Sequence, residues 1–155
     1  MRDVTADIGV RQSFAHDASG LERVPESVAR PRSEADVVAL LRQASAEQVN
    51  VTPAGGQTST TGASITDRGV LLSLRGLADV ADIDRDRLTI RAQAGVNLGD
   101  LKRRLAADGL LFAPDPTSED DVTVGGAIAC NASGARSLLY GATRPHVAAL
   151  LGERV

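Results

Sequence analysis

The stretch from Val28 to Gly62 limits the possible folds most, because it sets a one-sided helix between two extended segments and ends in a glycine-rich loop. Val28-Ala29-Arg30-Pro31-Arg32 is extended, since the residue before a proline is pushed out of the helical region. Ser33 then stands at an N-cap position, and Asp36 three places on makes a capping box with Asp in place of the usual Glu. Val37, Val38, Leu40, Leu41 and Ala44 fall on one side of a helix predicted over Glu34 to Glu47. Val49 to Pro53 reads as a strand leading into Ala54-Gly55-Gly56-Gln57-Thr58-Ser59-Thr60-Thr61-Gly62. Strand, helix, strand and loop in that order are the opening of an α/β unit.

Beyond that unit, Gly69 to Leu74 is a continuous apolar run of strand length, and Val80 to Ile83 follows a turn at Arg75-Gly76. Arg87 to Gln93 alternates like a half-buried strand, with a hairpin turn expected at Asp84-Arg85-Asp86. Asn97 is placed to cap a helix that carries Leu98, Leu101 and Leu105 on one face and stops at Gly109. Leu110 to Pro116 is extended and fixed by its prolines. Leu138 to Gly141 and His146 to Leu151 read as further strands or turns. Residues 1–24 are polar and form a lead segment, with a short helix expected around Val10 to His16 and a turn at Ser19-Gly20.

Composition narrows the function. A chain of 155 residues, 43% hydrophobic and 24% charged, is long enough for one domain with a real core. Its net charge is -3, its arginines are dispersed, Lys102 is its single lysine and aromatics are scarce, so it offers neither a basic stripe nor stacking platforms for nucleic acid. Cys130 stands alone, which excludes an internal disulfide and suits a reducing compartment. No apolar run approaches the roughly 20 residues of a membrane span, and the start does not read as a signal peptide. A cytoplasmic location is the expectation.

The chemistry is concentrated in two loops rich in Gly, Ser, Thr and Ala: Gly55 to Gly62 and Thr123 to Gly134. Gly125 and Gly126, lacking Cβ atoms, let a ligand approach the main chain. A helix starting at this pair would aim unpaired N–H groups and the positive end of its dipole at a phosphate, or else follow a tight turn and pack its small residues on a neighbour. Two such loops suit an elongated anion such as a pyrophosphate. The first has no lysine and the wrong glycine spacing for a Walker A sequence, and neither carries the Gly-x-Gly-x-x-Gly of a nicotinamide Rossmann unit.

Other residues have plainer readings. His16 and His146 lack partners at ligand spacing, so no metal site is expected. Glu119-Asp120-Asp121 reads as a solvated loop, Arg136 and Arg144 as surface residues beside turns or else as partners for a phosphate or substrate carboxylate, Tyr140 as core packing or a ligand contact, and Cys130 as buried and inert.

Five ordered pieces carry a family resemblance: Val28-Ala-Arg-Pro-Arg-Ser33, Pro53-Ala-Gly-Gly-Gln-Thr-Ser59, Asp115-Pro-Thr-Ser118, Val124-Gly-Gly-Ala-Ile-Ala-Cys-Asn-Ala-Ser-Gly134 and Tyr140-Gly-Ala-Thr-Arg144. In this order they resemble the FAD-binding domain of the p-cresol methylhydroxylase and vanillyl-alcohol oxidase superfamily, in the branch of FAD-linked D-lactate dehydrogenases and glycolate oxidases. The resemblance runs from about residue 25 to the end, giving a domain over residues 25–155. It implies an α+β fold, with a small α/β lobe followed by the start of a second, mixed-sheet lobe, and FAD between them.

On that resemblance, Gly55, Gly56, Gln57, Thr58 and Ser59 would hold the pyrophosphate. Thr117, Ser118, Thr123, Gly125, Gly126, Ala129, Asn131, Ser133, Gly134 and Tyr140 would line the ribityl and isoalloxazine portion. Relatives that attach flavin covalently have a histidine after the first Gly-Gly; Gln57 stands there, so noncovalent FAD is expected. The family fold continues into a cap domain that supplies the substrate pocket. The chain is thus expected to be a truncated FAD-binding portion of a 2-hydroxy-acid oxidoreductase, inactive alone, with a second polypeptide as a partner that carries the missing cap. The competing expectations are a noncatalytic nucleotide-binding or assembly subunit, and a phosphate-binding domain unrelated to flavin.

Overall fold

In a computed structural model, which describes residues 4–152, a four-stranded mixed sheet precedes a separate two-stranded hairpin. The first sheet contains β1 (Val4–Thr5), β2 (Ser27–Ala29), β3 (Val51–Ala54) and β4 (Val70–Ser73), in the order β1-β2-β4-β3. β2 and β3 run parallel to β4, and β1 runs antiparallel to β2. All four residues of β4 are buried, as a strand flanked on both sides and covered on both faces requires. Pro53 is tolerated because β3 is an edge strand, where a missing N–H costs no central ladder bond.

The alternation of side chains along β4 builds two cores. Val70 and Leu72 pack with Ala29 and Leu40 beneath α2 (Glu34–Ala46), while Leu71 packs with Val28 and Ala54 on the other face, against Val10 and Phe14. Ser33 caps α2 as expected, its hydroxyl accepting from Asp36 N and donating to the Asp36 carboxylate. The first helix, α1 (Ile8–Ser13), starts before the expected Val10 because Asp7 caps it, with Oδ1 3.0 Å from Val10 N.

β5 (Val80–Asp84) and β6 (Thr89–Ala92) form the antiparallel hairpin, turning just after Asp84. Val80, Ile83 and Ile90 pack on Leu101 and Leu105 of α3 (Leu98–Ala107), which Asn97 caps and Gly109 follows at a φ of +73°. Leu98, about two turns before Leu105 on the same face of α3, joins Val122 and Ala127 under α4 (Val124–Ala129). The Leu138 region is a single helical turn, α5 (Ser137–Tyr140), and Arg144–His146 is a 3-10 turn. From residue 147 to 152 there is no regular structure, and Leu138, Leu139, Leu150 and Leu151 lie exposed. Among the described residues, no helix is long and apolar enough to cross a membrane.

Candidate functional site

The first glycine loop leaves the end of β3, beside the end of β4, because Ala54 and Ser73 are register partners. Arg75, just beyond β4, reaches across and holds the loop: its Nε donates to Gly55 O at 2.8 Å and its Nη2 to Gly56 O at 2.9 Å. The backbone then changes hand, since Gln57 has a φ of +56° while Gly56 is not among the positive-φ residues. None of the N–H groups from Gly55 to Ser59 donates to another described residue. Successive free N–H groups on a backbone that alternates hand form a concave anion-binding nest.

Gln57 enters this loop differently from its expected role. Its side-chain nitrogen is turned inward, toward Phe14 O at 3.0 Å, His16 O at 3.2 Å and Ser64 O at 3.3 Å. It therefore ties the loop to the segment after α1, and its main-chain N–H is the donor left for an anionic ligand. Ser64 also donates to Asp17 Oδ2 at 3.1 Å. Partial burial pushes the Asp17 carboxyl up, but hydrogen bonds from Ser19 and Ser64 outweigh it and hold the group below its ordinary value.

The start of α4 departs from expectation. Val124 N donates to Val96 O at 2.8 Å and Gly125 N to Ala94 O at 2.9 Å, while Gly126 N takes the Thr123 hydroxyl at 3.3 Å and Ala127 N takes Thr123 O at 2.8 Å. The segment before α3 runs alongside Thr123 and claims the donors that a free helix end would offer. Gly125 is small for the same reason, because a Cβ there would come 2.7 Å from the Ala94 Cβ. Likewise, a Cβ on Gly56 would overlap Asp121 O, and one on Gly134 would overlap Asp115 O. These glycines bring loop against loop, and Gly56, Arg75, Asp120, Asp121 and Thr123 are among the walls of a cleft of about 280 Å³.

The remaining residues named from the sequence lie between Thr117 and Tyr140, in and around the second loop. Thr117 and Ser118 form a turn in which Ser118 O accepts from Asp121 N and Val122 N; Ser118 N has no partner among the described residues, while Thr117 N lies on the isolated bridge between Pro116 and Gly134. Ala129 ends α4, and Asn131, at a φ of +48°, accepts from Arg144 N through Oδ1 at 3.0 Å. Gly134 pairs with Pro116 in an isolated bridge, and Ser133 precedes it. Tyr140 is 41% exposed rather than part of the core. Among the described residues no hydrogen bond joins the first loop to the stretch from Ala129 to Tyr140.

Cys130 corrects an expectation: it is exposed, because it caps the C-terminus of the short α4. Arg144 is not an idle surface residue, since it donates to Ile128 O and Ala129 O and closes that same helix end. Glu119 leaves the acidic run to pair with Lys102, whose Nζ also donates to Pro114 O at 3.2 Å. Arg75 carried no motif in the sequence. Its only signal was its place immediately after a buried strand, in register with the glycine loop.

A family model described as an FAD binding domain matches residues 25–151. A D-2-hydroxyglutarate dehydrogenase from Pseudomonas putida is 36% identical over 148 residues, covering 93% of this chain and 15% of the relative. A D-lactate dehydrogenase from Anaerostipes hadrus is 33% identical over 144 residues, covering 91% of this chain and 30% of the relative. In fold, the chain is similar to an alkyldihydroxyacetonephosphate synthase, with a TM-score of 0.78, 24% identity and coverage of 90% of this chain and 29% of that one. The chain thus spans well under half the length of the proteins it matches.

Proposed function

The chain belongs to the FAD binding domain family and has the p-cresol methylhydroxylase type of fold, and from that premise we propose that it is the cofactor-holding portion of an oxidoreductase acting on a 2-hydroxy acid such as D-lactate or glycolate. FAD is its cofactor. The observation that carries the reading of the site is the run of unpartnered N–H groups from Gly55 to Ser59, set where the backbone changes hand. A diphosphate offers oxygens to several such donors at once. In this reading the first loop takes the pyrophosphate through its main chain. Thr117, Ser118 with its free N–H group, and the stretch from Thr123 to Gly134 and Tyr140 face the rest of the cofactor.

The structure around Gln57 supports noncovalent attachment. An amide is no nucleophile toward a flavin methyl, and this one is engaged by backbone carbonyls on the inner side of the loop. When bound, the flavin supplies the hydride-accepting chemistry, and the protein supplies orientation. The 2-hydroxy-acid substrate rests on the names of the two dehydrogenases, both of which act on D-2-hydroxy acids. The substrate pocket and its proton acceptor belong, in this proposal, to a cap carried by further polypeptide, for which the exposed Leu138, Leu139, Leu150 and Leu151 offer an apolar seat. The assembly works in the reducing cytoplasm, where a lone exposed Cys130 stays a thiol.

Purified chain, scanned for the visible flavin bands and then titrated with FAD while flavin fluorescence is followed, tests the proposal. Bands that co-purify, or saturable quenching, are the expected result. A folded sample that shows neither overturns it.

A further inference from the structure

We propose that Arg75 is a positioning residue that aims the N–H groups of Gly56 and Gln57 at a diphosphate without itself touching it; the inference rests on the reading of the first loop given above. A trans peptide is planar, so the carbonyl of one residue and the N–H of the next point in opposite directions. All peptide bonds among the described residues are trans. When Arg75 draws Gly55 O and Gly56 O to itself, it therefore turns Gly56 N–H and Gln57 N–H to the opposite side of the loop.

Both bonds are needed for this. Nε and Nη2 lie on one edge of a rigid, planar group, so they grip two successive carbonyls and fix two peptide planes together. No other described residue donates to either carbonyl. The positive charge on the carbonyl side also polarises each peptide and strengthens its N–H as a donor on the far side. The residue is well placed for the task. Leu74 N donates to Ala54 O at 2.9 Å and Leu77 N to Leu74 O at 3.0 Å, so the turn that carries Arg75 is anchored at both ends beside the loop. A lysine at this position supplies the charge but only a single donor centre, which cannot hold two planes in register.

The test uses inorganic pyrophosphate and the amide resonances of ¹⁵N-labelled chain. In the wild-type chain, the Gly56 and Gln57 amides move saturably as pyrophosphate is added. In Arg75→Met, with the rest of the spectrum dispersed as before, the affinity falls about tenfold or more and those two amides stop responding. Arg75→Lys, which keeps the charge, recovers less than half of the lost affinity on a logarithmic scale; should Arg75→Met fail to fold, Arg75→Lys decides alone against wild type, with an affinity at least about threefold lower expected. A lysine variant equal to wild type means that charge alone matters, and it overturns the proposal, as does a methionine variant that binds like wild type. If pyrophosphate moves no first-loop amide in the wild-type chain, the reading of the loop itself fails and the role of Arg75 falls with it.

Discussion

A Cβ on Gly55 would overlap the hydroxyl oxygen of Thr123, so the first glycine loop and the cap of α4 meet only because residue 55 has no side chain. The same hydroxyl accepts from Gly126 N. One oxygen atom thus joins the two loops that the sequence kept far apart, and the contact has a measurable signature. Gly55→Ala lowers the free energy of unfolding by about 1–3 kcal/mol, the cost of overpacking a tight contact, and Thr123→Ala by about 1 kcal/mol, the cost of a lost cap. The double variant costs less than the sum by about 1 kcal/mol, because removing the hydroxyl makes room for the new methyl. Urea denaturation of the four proteins checks this, and strict additivity would show that the atoms do not meet.

Gln57 sets two effects against each other. Its left-handed backbone, at a φ of +56°, costs about 1–2 kcal/mol that glycine would not incur. Its side chain faces three carbonyls, of which its two hydrogens satisfy two at a time, for about 1 kcal/mol each. Gln57→Gly therefore changes stability by no more than about 1 kcal/mol in either direction. Gln57→Glu is clearly worse, since a carboxylate brings only acceptors to a cluster of acceptors. Comparing denaturation midpoints of the two variants at neutral pH checks the order, and a glutamate variant as stable as the glycine one would contradict the inward orientation.

Lys102 links α3 to the segment that leads into the second loop. Its side chain is 14% exposed and holds both Pro114 O and the Glu119 carboxylate. Lys102→Met lowers the free energy of unfolding by about 1–2 kcal/mol, as for a partly buried, charge-assisted bond. Glu119→Gln adds little once the lysine is gone. Equal effects of Glu119→Gln in the two backgrounds, measured by urea denaturation, would show that the pair contributes nothing.

Asp17 gives the chain an acid dependence of known sign. Its folded-state carboxyl titrates below the ordinary value of 3.8, because hydrogen bonds from Ser19 and Ser64 outweigh the opposing effect of burial. A lowered folded value means stability that is present above pH 3.8 and is lost as the pH falls through the folded value. The stability difference between wild type and Asp17→Asn should therefore shrink as acid is added through that window. A difference that stays constant across it would remove Asp17 from the account.

What the sequence revealed and what it hid divide along physical lines. The caps at Ser33 and Asn97, the leucine face of α3, the hairpin after Asp84 and the glycine stop at Gly109 were legible because each depends on neighbours within a few residues. The central place of β4 was less so, since strand order is set by pairing across the chain. The free donors expected at α4 proved to be taken, because Ala94 and Val96 come from a distant segment that no local pattern connects to Gly125. Arg75 was passed over for a similar reason: its partners are the carbonyls of Gly55 and Gly56, and carbonyls leave no mark in a sequence. Cys130, expected inside, lies at the exposed end of a helix of six residues, too short to bury all its sides.

The central claim is that the main chain of the first loop holds the diphosphate of FAD, and the most direct measurement compares FAD with riboflavin, which has the same ring and no phosphate. Isothermal titration of the purified chain with each, followed by displacement of FAD with ADP, separates ring contacts from phosphate contacts. FAD is expected to bind at least about 100-fold more tightly than riboflavin, a difference of about 2.7 kcal/mol, and ADP to compete. Equal affinities for FAD and riboflavin, with no displacement by ADP, would contradict that claim.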